Sequence, residues 1–224
     1  MTSHETKTRG EYRERAPLVR RIEPPEIDGR PVYDLAMPLT DRYDRALVYC
    51  RHVHAKQVRK GTTIPYMAHL MSVSALVLED GGDEDEAIAG LLHDTVEDQG
   101  GKERLADVRR EFGVRVADIV DGCTDTDFDP KPPWRPRKES YVWHLRGATP
   151  SVLRVSLADK LHNARAIVLD YRSIGDRVFE RFNAGKADQL WYYTAVLGAF
   201  KSQSASPLVG ELERVVTELR ELLS

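Results

Sequence analysis

The sequence predicts an all-α bundle of about ten helices, and three observations carry that reading. Apolar residues recur at helical spacing from about residue 39 onward. Capping residues and glycine stops punctuate the pattern at short intervals. No segment shows the apolar/polar alternation of a half-buried strand, and no internal repeat is present. With 224 residues, the chain is long enough for one domain with a substantial core.

Each element follows from these signals. Residues 1 to about 38 are charge-rich, contain Pro17, Pro24, Pro25 and Pro31, and hold few apolar residues before Val32. Such a segment buries too little surface to offset its ordering entropy, so 1–38 is expected to be a flexible charged leader. Val32-Tyr33-Asp34-Leu35 is its stretch best able to dock on the domain spanning 39–224. Thr40 or Asp41 caps a first helix that turns Tyr43, Ala46, Leu47, Cys50 and Val53 inward. Residues 59–65 break it, and a second helix of about 66–78 stops at Gly81-Gly82. Asp83 caps a third, 85–98, with Ala87, Ile88, Leu91 and Leu92 facing the core, ended by Gly100-Gly101. Helices at about 103–112 and 114–123 are joined at Gly113. Residues 124–136, rich in proline, are expected to be a non-helical loop. Helices resume at about 137–146, 150–172, 175–182, 186–202 and 207–223.

Composition narrows the function classes. Lys+Arg 33 against Asp+Glu 36 gives a net charge of −3, so no global field points to nucleic acid or a membrane, although local basic patches remain compatible. Cys50 and Cys123 have no paired spacing and sit in apolar helical patterns, which reads as two reduced, buried thiols. No apolar signal region or membrane-length run occurs, so the cytoplasm is the expected location.

Chemistry concentrates in Leu91-Leu92-His93-Asp94-Thr95-Val96-Glu97-Asp98. On one continuous helix His93 shares a face with Glu97, and Asp94 with Asp98, the two pairs about 100° apart. A solvated acidic helix end is the plainer reading, but acidic groups are unfavourable where the helix dipole prefers cations. His69 enters a helix behind Pro65-Tyr66; singly, such a histidine is more often structural. In Ser156-Leu157-Ala158-Asp159-Lys160-Leu161-His162-Asn163-Ala164-Arg165 the apolar positions mark a buried helix, with Asp159 and Asn163 on one face. Taken alone, Asp159 is best read as paired to an arginine; burial without partners is costly. His69, His93, Asp94 and Asp159 together make a mixed nitrogen and oxygen set. Such a set suits manganese, iron or zinc better than magnesium or calcium, and the lack of cysteine argues against a closed structural zinc site. A cation there makes water nucleophilic at neutral pH.

The His93-Asp94 doublet and its surroundings resemble the HD phosphohydrolases, in particular the hydrolase domain of RelA/SpoT-type enzymes and the single-domain small alarmone hydrolases. The matching pieces, in family order over about 42–200, are Ala55-Lys56-Gln57-Val58-Arg59-Lys60, Pro65-Tyr66 with His69, the 91–98 stretch, Phe112-Gly113, Val120-Asp121-Gly122-Cys123-Thr124, and Leu157-Ala158-Asp159-Lys160-Leu161-His162-Asn163. By that resemblance His69, His93, Asp94 and Asp159 hold Mn2+. Glu97 and Asp98 orient the attacking water and handle the leaving-group proton. Arg59 and Lys60 contact base and phosphates, and Asn163 the nucleotide. Without the resemblance, Arg59-Lys60 would be read as a solvated turn. The implied reaction removes pyrophosphate from the 3′ position of guanosine tetra- or pentaphosphate. The implied partner is a small nucleotide, with neither nucleic acid nor membrane, and a homo-oligomer is compatible with it. At this length the synthetase and regulatory domains of the long enzymes are not expected, and neither is a bifunctional role.

The sequence departs from the family pattern at Leu70, where proline is usual, at the turn Gly61-Thr62-Thr63-Ile64, and at Gln99-Gly100-Gly101. Loop 124–136 and the basic run Lys131, Arg135, Arg137 and Lys138 with Trp134 also lack a clear family counterpart; the run is a solvated loop or a flap over distal phosphates. These differences bear on substrate identity more than on reaction type. Alternatives are adenosine 3′-pyrophosphates or the phosphate of NADPH, another HD nucleotide phosphohydrolase, and a non-enzymatic nucleotide-sensing module. The stripe Trp191, Tyr192, Tyr193 and Phe200 reads as core, with one of the first three a candidate to touch nucleotide.

Overall fold

The computed structural model describes residues 26–27, 30–31, 39–126 and 130–223, and the chain divides into a unit Met1–Met37 and a unit Pro38–Ser224. In the first, β1 (Glu26–Ile27) pairs antiparallel with β2 (Arg30–Pro31). The rest of the leader, including Val32-Tyr33-Asp34-Leu35, lies outside the described residues.

The second unit is all-α, as its periodicity predicts. Among the described residues its helices are α1 (Asp41–Val53), α2 (Met67–Glu79), α3 (Glu84–Leu92), α4 (Thr95–Gln99), α5 (Gly101–Phe112), α6 (Val114–Cys123), α7 (Trp134–Leu145), α8 (Pro150–Ile174), α9 (Lys186–Gln203) and α10 (Pro207–Leu223). A 3-10 segment, Gly175–Arg181, follows α8. Thr40 caps α1 by accepting the Arg42 N–H at 3.2 Å, and its own hydroxyl donates to Glu84 at 2.8 Å, fastening the start of α1 to α3. Asp83 and Glu86 form a reciprocal capping box at 3.0 Å each, satisfying two donors that open α3.

The 25-residue α8, about 37 Å long, runs through the middle of the bundle and packs against α2, α3, α6 and α10. Leu157, Leu161 and Ala164 are fully buried along it; each buried leucine contributes roughly 1.5–3 kcal/mol of transfer free energy. Gly90 sets the spacing that matters most for the site. A Cβ there would stand 3.0 Å from Ser74 Cα, so any larger residue would push α3 and α2 apart by a few tenths of an ångström. Cys50 and Cys123 are buried and unpaired; burial pushes their thiols up to about 12 and about 11. Among the described residues no helix is long and apolar enough to cross a membrane.

The structure corrects four sequence-based boundaries. The expected helix 85–98 is two helices, broken at His93-Asp94. The Thr95 hydroxyl donates to Leu92 O at 2.6 Å and the His93 ring bonds Gly90 O at 2.8 Å, so side chains take carbonyls that a continuous helix would use. Helix α7 starts at Trp134 within the expected loop; Pro136 is tolerated there because a first-turn residue has no intrahelical N–H bond to lose. Helix α5 starts at Gly101 rather than 103, and 175–181 adopts the tighter 3-10 form common in short connectors.

Candidate metal centre and the cavity beside it

Four side chains from three parts of the bundle converge. His69 sits in the first turn of α2, where its N–H bonds Tyr66 O at 2.9 Å. His93 and Asp94 occupy the α3/α4 break, and Asp159 lies midway along α8. One donor atom each from His69, His93 and Asp159 lies within 4.8 Å of the others. Asp94 Oδ2 reaches both imidazoles, 3.6 Å from His69 Nε2 and 3.1 Å from His93 Nε2. Asp159 Oδ1 is 3.2 Å from His69 Nε2 and 3.6 Å from His93 Nε2.

The donor chemistry fits a cation. His93 donates Nδ1–H to Gly90 O, which turns the Nε2 lone pair toward the carboxylates. His69 Nδ1 is 2.8 Å from His162 Nδ1. Burial, with help from His69 and Arg59, pushes the His162 imidazole down to about 4, so it is neutral and able to accept from His69. Both Nε2 atoms are buried without a hydrogen-bond partner. Neighbouring donors held about 2.0–2.2 Å from a shared ion stand roughly 3.0–3.5 Å apart, close to the four imidazole–carboxylate separations above. The set whose donors all lie within 4.8 Å of one another is His69, His93 and Asp159, with Asp94 beside it.

Electrostatics point the same way. Burial alone would lower the His93 imidazole, yet Asp94 and Asp159 hold it well above its ordinary value. Burial would raise both carboxyls, yet His93 and His69 hold Asp94 well below the usual range, and Lys160 with the imidazoles does so for Asp159. These opposed shifts favour positive charge within the cluster. Asp159 is paired with Lys160 at 2.6 Å rather than with the arginine the sequence suggested, because the next residue on α8 already supplies a buried cation. Asn163 Nδ2 donates to the other oxygen at 2.5 Å, and Asn163 Oδ1 accepts from Arg59 at 2.8 Å.

A cavity of about 710 Å³ opens onto His69, within the range of small-molecule sites. Its lining includes Arg59, Lys60, Asn163 and Glu97; seven of its side chains are lysine or arginine and two are acidic. Arg181 packs on Gly61, whose φ of +70° and lack of a Cβ make the room. Glu97 accepts from Lys131 at 2.8 Å with Arg137 at 3.7 Å. Asp98 lies beside the cavity rather than in its lining, held by Gln57 at 2.8 Å and Lys131 at 3.5 Å. Of the basic run, Lys131, Arg137 and Lys138 line the cavity with Trp134, whereas Arg135 stacks on Trp191, 3.4 Å from the ring centroid. Tyr192 and Tyr193 line it as well; Trp191 does not.

The structure thus brings His69, His93, Asp94 and Asp159 together, and puts Glu97, Arg59, Lys60 and Asn163 on one cavity. Sequence reasoning assigned no role to Tyr66, whose hydroxyl donates to Asp94 Oδ2 at 2.5 Å, nor to His162 or Gln57. Their signal was present but unread: all three fall inside the quoted matching stretches.

Fold and site define a helical protein built to hold a divalent cation beside a cationic, nucleotide-sized cavity. The chain belongs to the HD domain family, whose profile matches residues 46–187. It is 37% identical over 127 residues to a GTP pyrophosphokinase of Streptomyces coelicolor, covering 55% of this chain and 14% of that one. It is 36% identical over 122 residues to a guanosine-3′,5′-bis(diphosphate) 3′-pyrophosphohydrolase of Mus musculus, covering 52% of this chain and 64% of the relative. The chain therefore spans less than two thirds of either relative. Among solved structures, a metazoan SpoT ortholog described as hydrolysing ppGpp superposes with a TM-score of 0.68 at 24% identity, over 84% of this chain and 99% of that one. A Listeria monocytogenes protein superposes with a TM-score of 0.60 at 29% identity, over 66% and 96%.

Proposed function

We propose that residues 39–224 form a metal-dependent pyrophosphohydrolase that removes the 3′-diphosphate of guanosine tetra- or pentaphosphate, giving GDP or GTP and pyrophosphate. The observation that carries this reading is the cationic cavity opening onto the buried His69/His93/Asp159 cluster, with Glu97 in its wall. The similarity to the mouse and Streptomyces relatives supports it.

His69, His93, Asp94 and Asp159 hold the cation, and the nitrogen and oxygen donors suit Mn2+. When bound, the ion offsets phosphate charge and makes water acidic enough to react at neutral pH. Arg59 and Lys60 hold the nucleotide; the Arg59 guanidinium, 5.8 Å from the Tyr66 ring centroid, offers a flat face to a base or a fork to phosphate oxygens. Asn163 keeps Arg59 in place. Glu97 and Asp98 orient the attacking water and take its proton. The water oxygen bonds the phosphorus carried on the 3′ oxygen; that oxygen leaves with a proton, and pyrophosphate departs. The lysines and arginines on the far wall neutralise the remaining phosphates. A cytoplasmic location accords with this substrate.

Product analysis tests the proposal. With Mn2+ and guanosine tetraphosphate, the expected products are GDP and pyrophosphate in equal amounts. Orthophosphate alone, or turnover confined to adenosine 3′-pyrophosphates, NADPH or deoxynucleoside triphosphates, would overturn it.

A further inference from the structure

The segment between α1 and α2 does more than supply Arg59 and Lys60. Gln57 lies at its start, and every polar atom of its amide has a partner. Asp98 in its ionised form only accepts hydrogen bonds, so the amide nitrogen must face it, and Nε2 donates to Oδ2 at 2.8 Å. Gln57 Oε1 then turns away and accepts two donors, Gln99 Nε2 at 2.7 Å and His54 Nδ1 at 2.7 Å. His54 is only 2% exposed, and its ring stacks on Tyr66 with centroids 5.5 Å apart. Burial holds its imidazole below the ordinary value, so the ring is neutral and the Nδ1 proton is the one it gives.

The backbone of Gln57 is fixed as firmly. Its N–H donates to His54 O at 3.0 Å and its carbonyl accepts the Tyr66 N–H at 2.9 Å. Tyr66 in turn donates to Asp94. One residue therefore ties the main chain that places Tyr66 on Asp94 to the side chain that meets Asp98.

We propose that Gln57, oriented by His54 and Gln99, is a positioning residue that fixes the Asp98 carboxylate for the reaction. The bond to Oδ2 selects one rotamer on a five-residue helix that could not hold it alone. It leaves Oδ1, with the exchangeable Lys131 ammonium 3.5 Å away, as the oxygen that meets water or the leaving group. This inference rests on the assignment of Asp98 to the reaction proposed above.

The test uses the manganese-loaded full chain with guanosine tetraphosphate. Gln57→Glu keeps shape and length but presents an acceptor to Asp98; Gln57→Leu removes the bond. Both are expected to lower kcat about 10- to 100-fold, the scale of a misplaced reacting group, with KM within about twofold and Mn2+ affinity unchanged. His54→Asn keeps a donor where Nδ1 stands and is expected to restore most of the activity lost in His54→Leu. In Asp98→Asn, adding Gln57→Leu should cost nothing further, because coupled residues lose one function once. Fully additive losses, or Gln57→Leu with normal kcat while Asp98→Asn is inactive, would overturn the positioning role alone. Full turnover by Asp98→Asn would remove the catalytic assignment and this inference with it.

Discussion

The metal cluster and the carboxylate pair beside it lie next to each other along the chain but are built on different terms. At the cluster, His69 is fully buried and His93 and Asp159 are nearly so, and the remote ring nitrogens are bound to His162 and to Gly90 O. At the rim, Glu97 and Asp98 are partly exposed, and the chief cation on both is Lys131, whose side chain is 43% exposed. Buried charges demand a partner, because desolvation is costly and one missing counter-charge leaves the rest uncompensated. Exposed ion pairs contribute only about 0–1 kcal/mol each and exchange readily. The comparison teaches a division of labour: the cluster is fixed by buried partners, whereas the rim is held by an exposed, exchangeable cation, which under the proposed function is the contact a substrate phosphate would replace.

Breaking the cluster should have the largest effect. Asp159→Asn removes the carboxylate facing both imidazoles and leaves Lys160 buried beside a neutral amide. It is expected to abolish stoichiometric Mn2+ binding, and with it turnover, by more than the roughly 10–100-fold that an outer partner costs; metal analysis of the purified variant checks this. Glu97→Gln acts at the rim. Mn2+ content should stay at one per chain while kcat falls about 100- to 10,000-fold, the scale of a lost acid or base; a variant with full kcat would place the proton transfer elsewhere.

The third expectation concerns proton and metal competing for one place. The His93 imidazole is held well above its ordinary value by Asp94 and Asp159. A raised folded-state value means its contribution to metal-free stability is full below about pH 6.5 and fades as pH rises through the folded value. Mn2+ should then stabilise most at the alkaline end, and its affinity should weaken about tenfold per pH unit where one proton must be displaced. Thermal melts across pH, with Mn2+ and with chelator, read both; a metal effect independent of pH would contradict the competition. The smallest change is expected far from either region. Arg109→Ala breaks the exposed pair with Asp118 at 2.9 Å and should alter stability by no more than about 0.5 kcal/mol, with unchanged kcat.

Much of the fold was legible because helices advertise themselves locally. Thr40 and Asp83 cap where their neighbours predict, and Gly113 separates α5 from α6 as expected. The candidate metal donors were recognisable only as a set, because His69 and Asp159 each have a plainer structural reading on their own. What periodicity does not encode is a contact made across the chain. His162 meets His69 93 residues away, and Gln57 meets Asp98 41 residues away; neither shows in a window of one helix. The break at His93-Asp94 was missed for a related reason. The apolar spacing of 87–92 continues smoothly into 95–96, and the side chains that end the helix do so by hydrogen bonds of their own.

That break also makes the stretch a ruler. The proposed donors are its first two residues, His93 and Asp94, and the pair proposed to handle protons, Glu97 and Asp98, stands three and four positions beyond Asp94. Inserting one residue between Asp94 and Glu97 would turn the pair by about 100° and shift it about 1.5 Å along α4, while His93 and Asp94 stayed at the end of α3, facing His69 on α2 and Asp159 on α8. Substitution at Thr95 or Val96 can be graded, but a change of length there is all or nothing. Anyone grafting this site into another bundle would have to carry Gly90 to Gln99 as a single cassette, and bring the Gln57 segment to meet it.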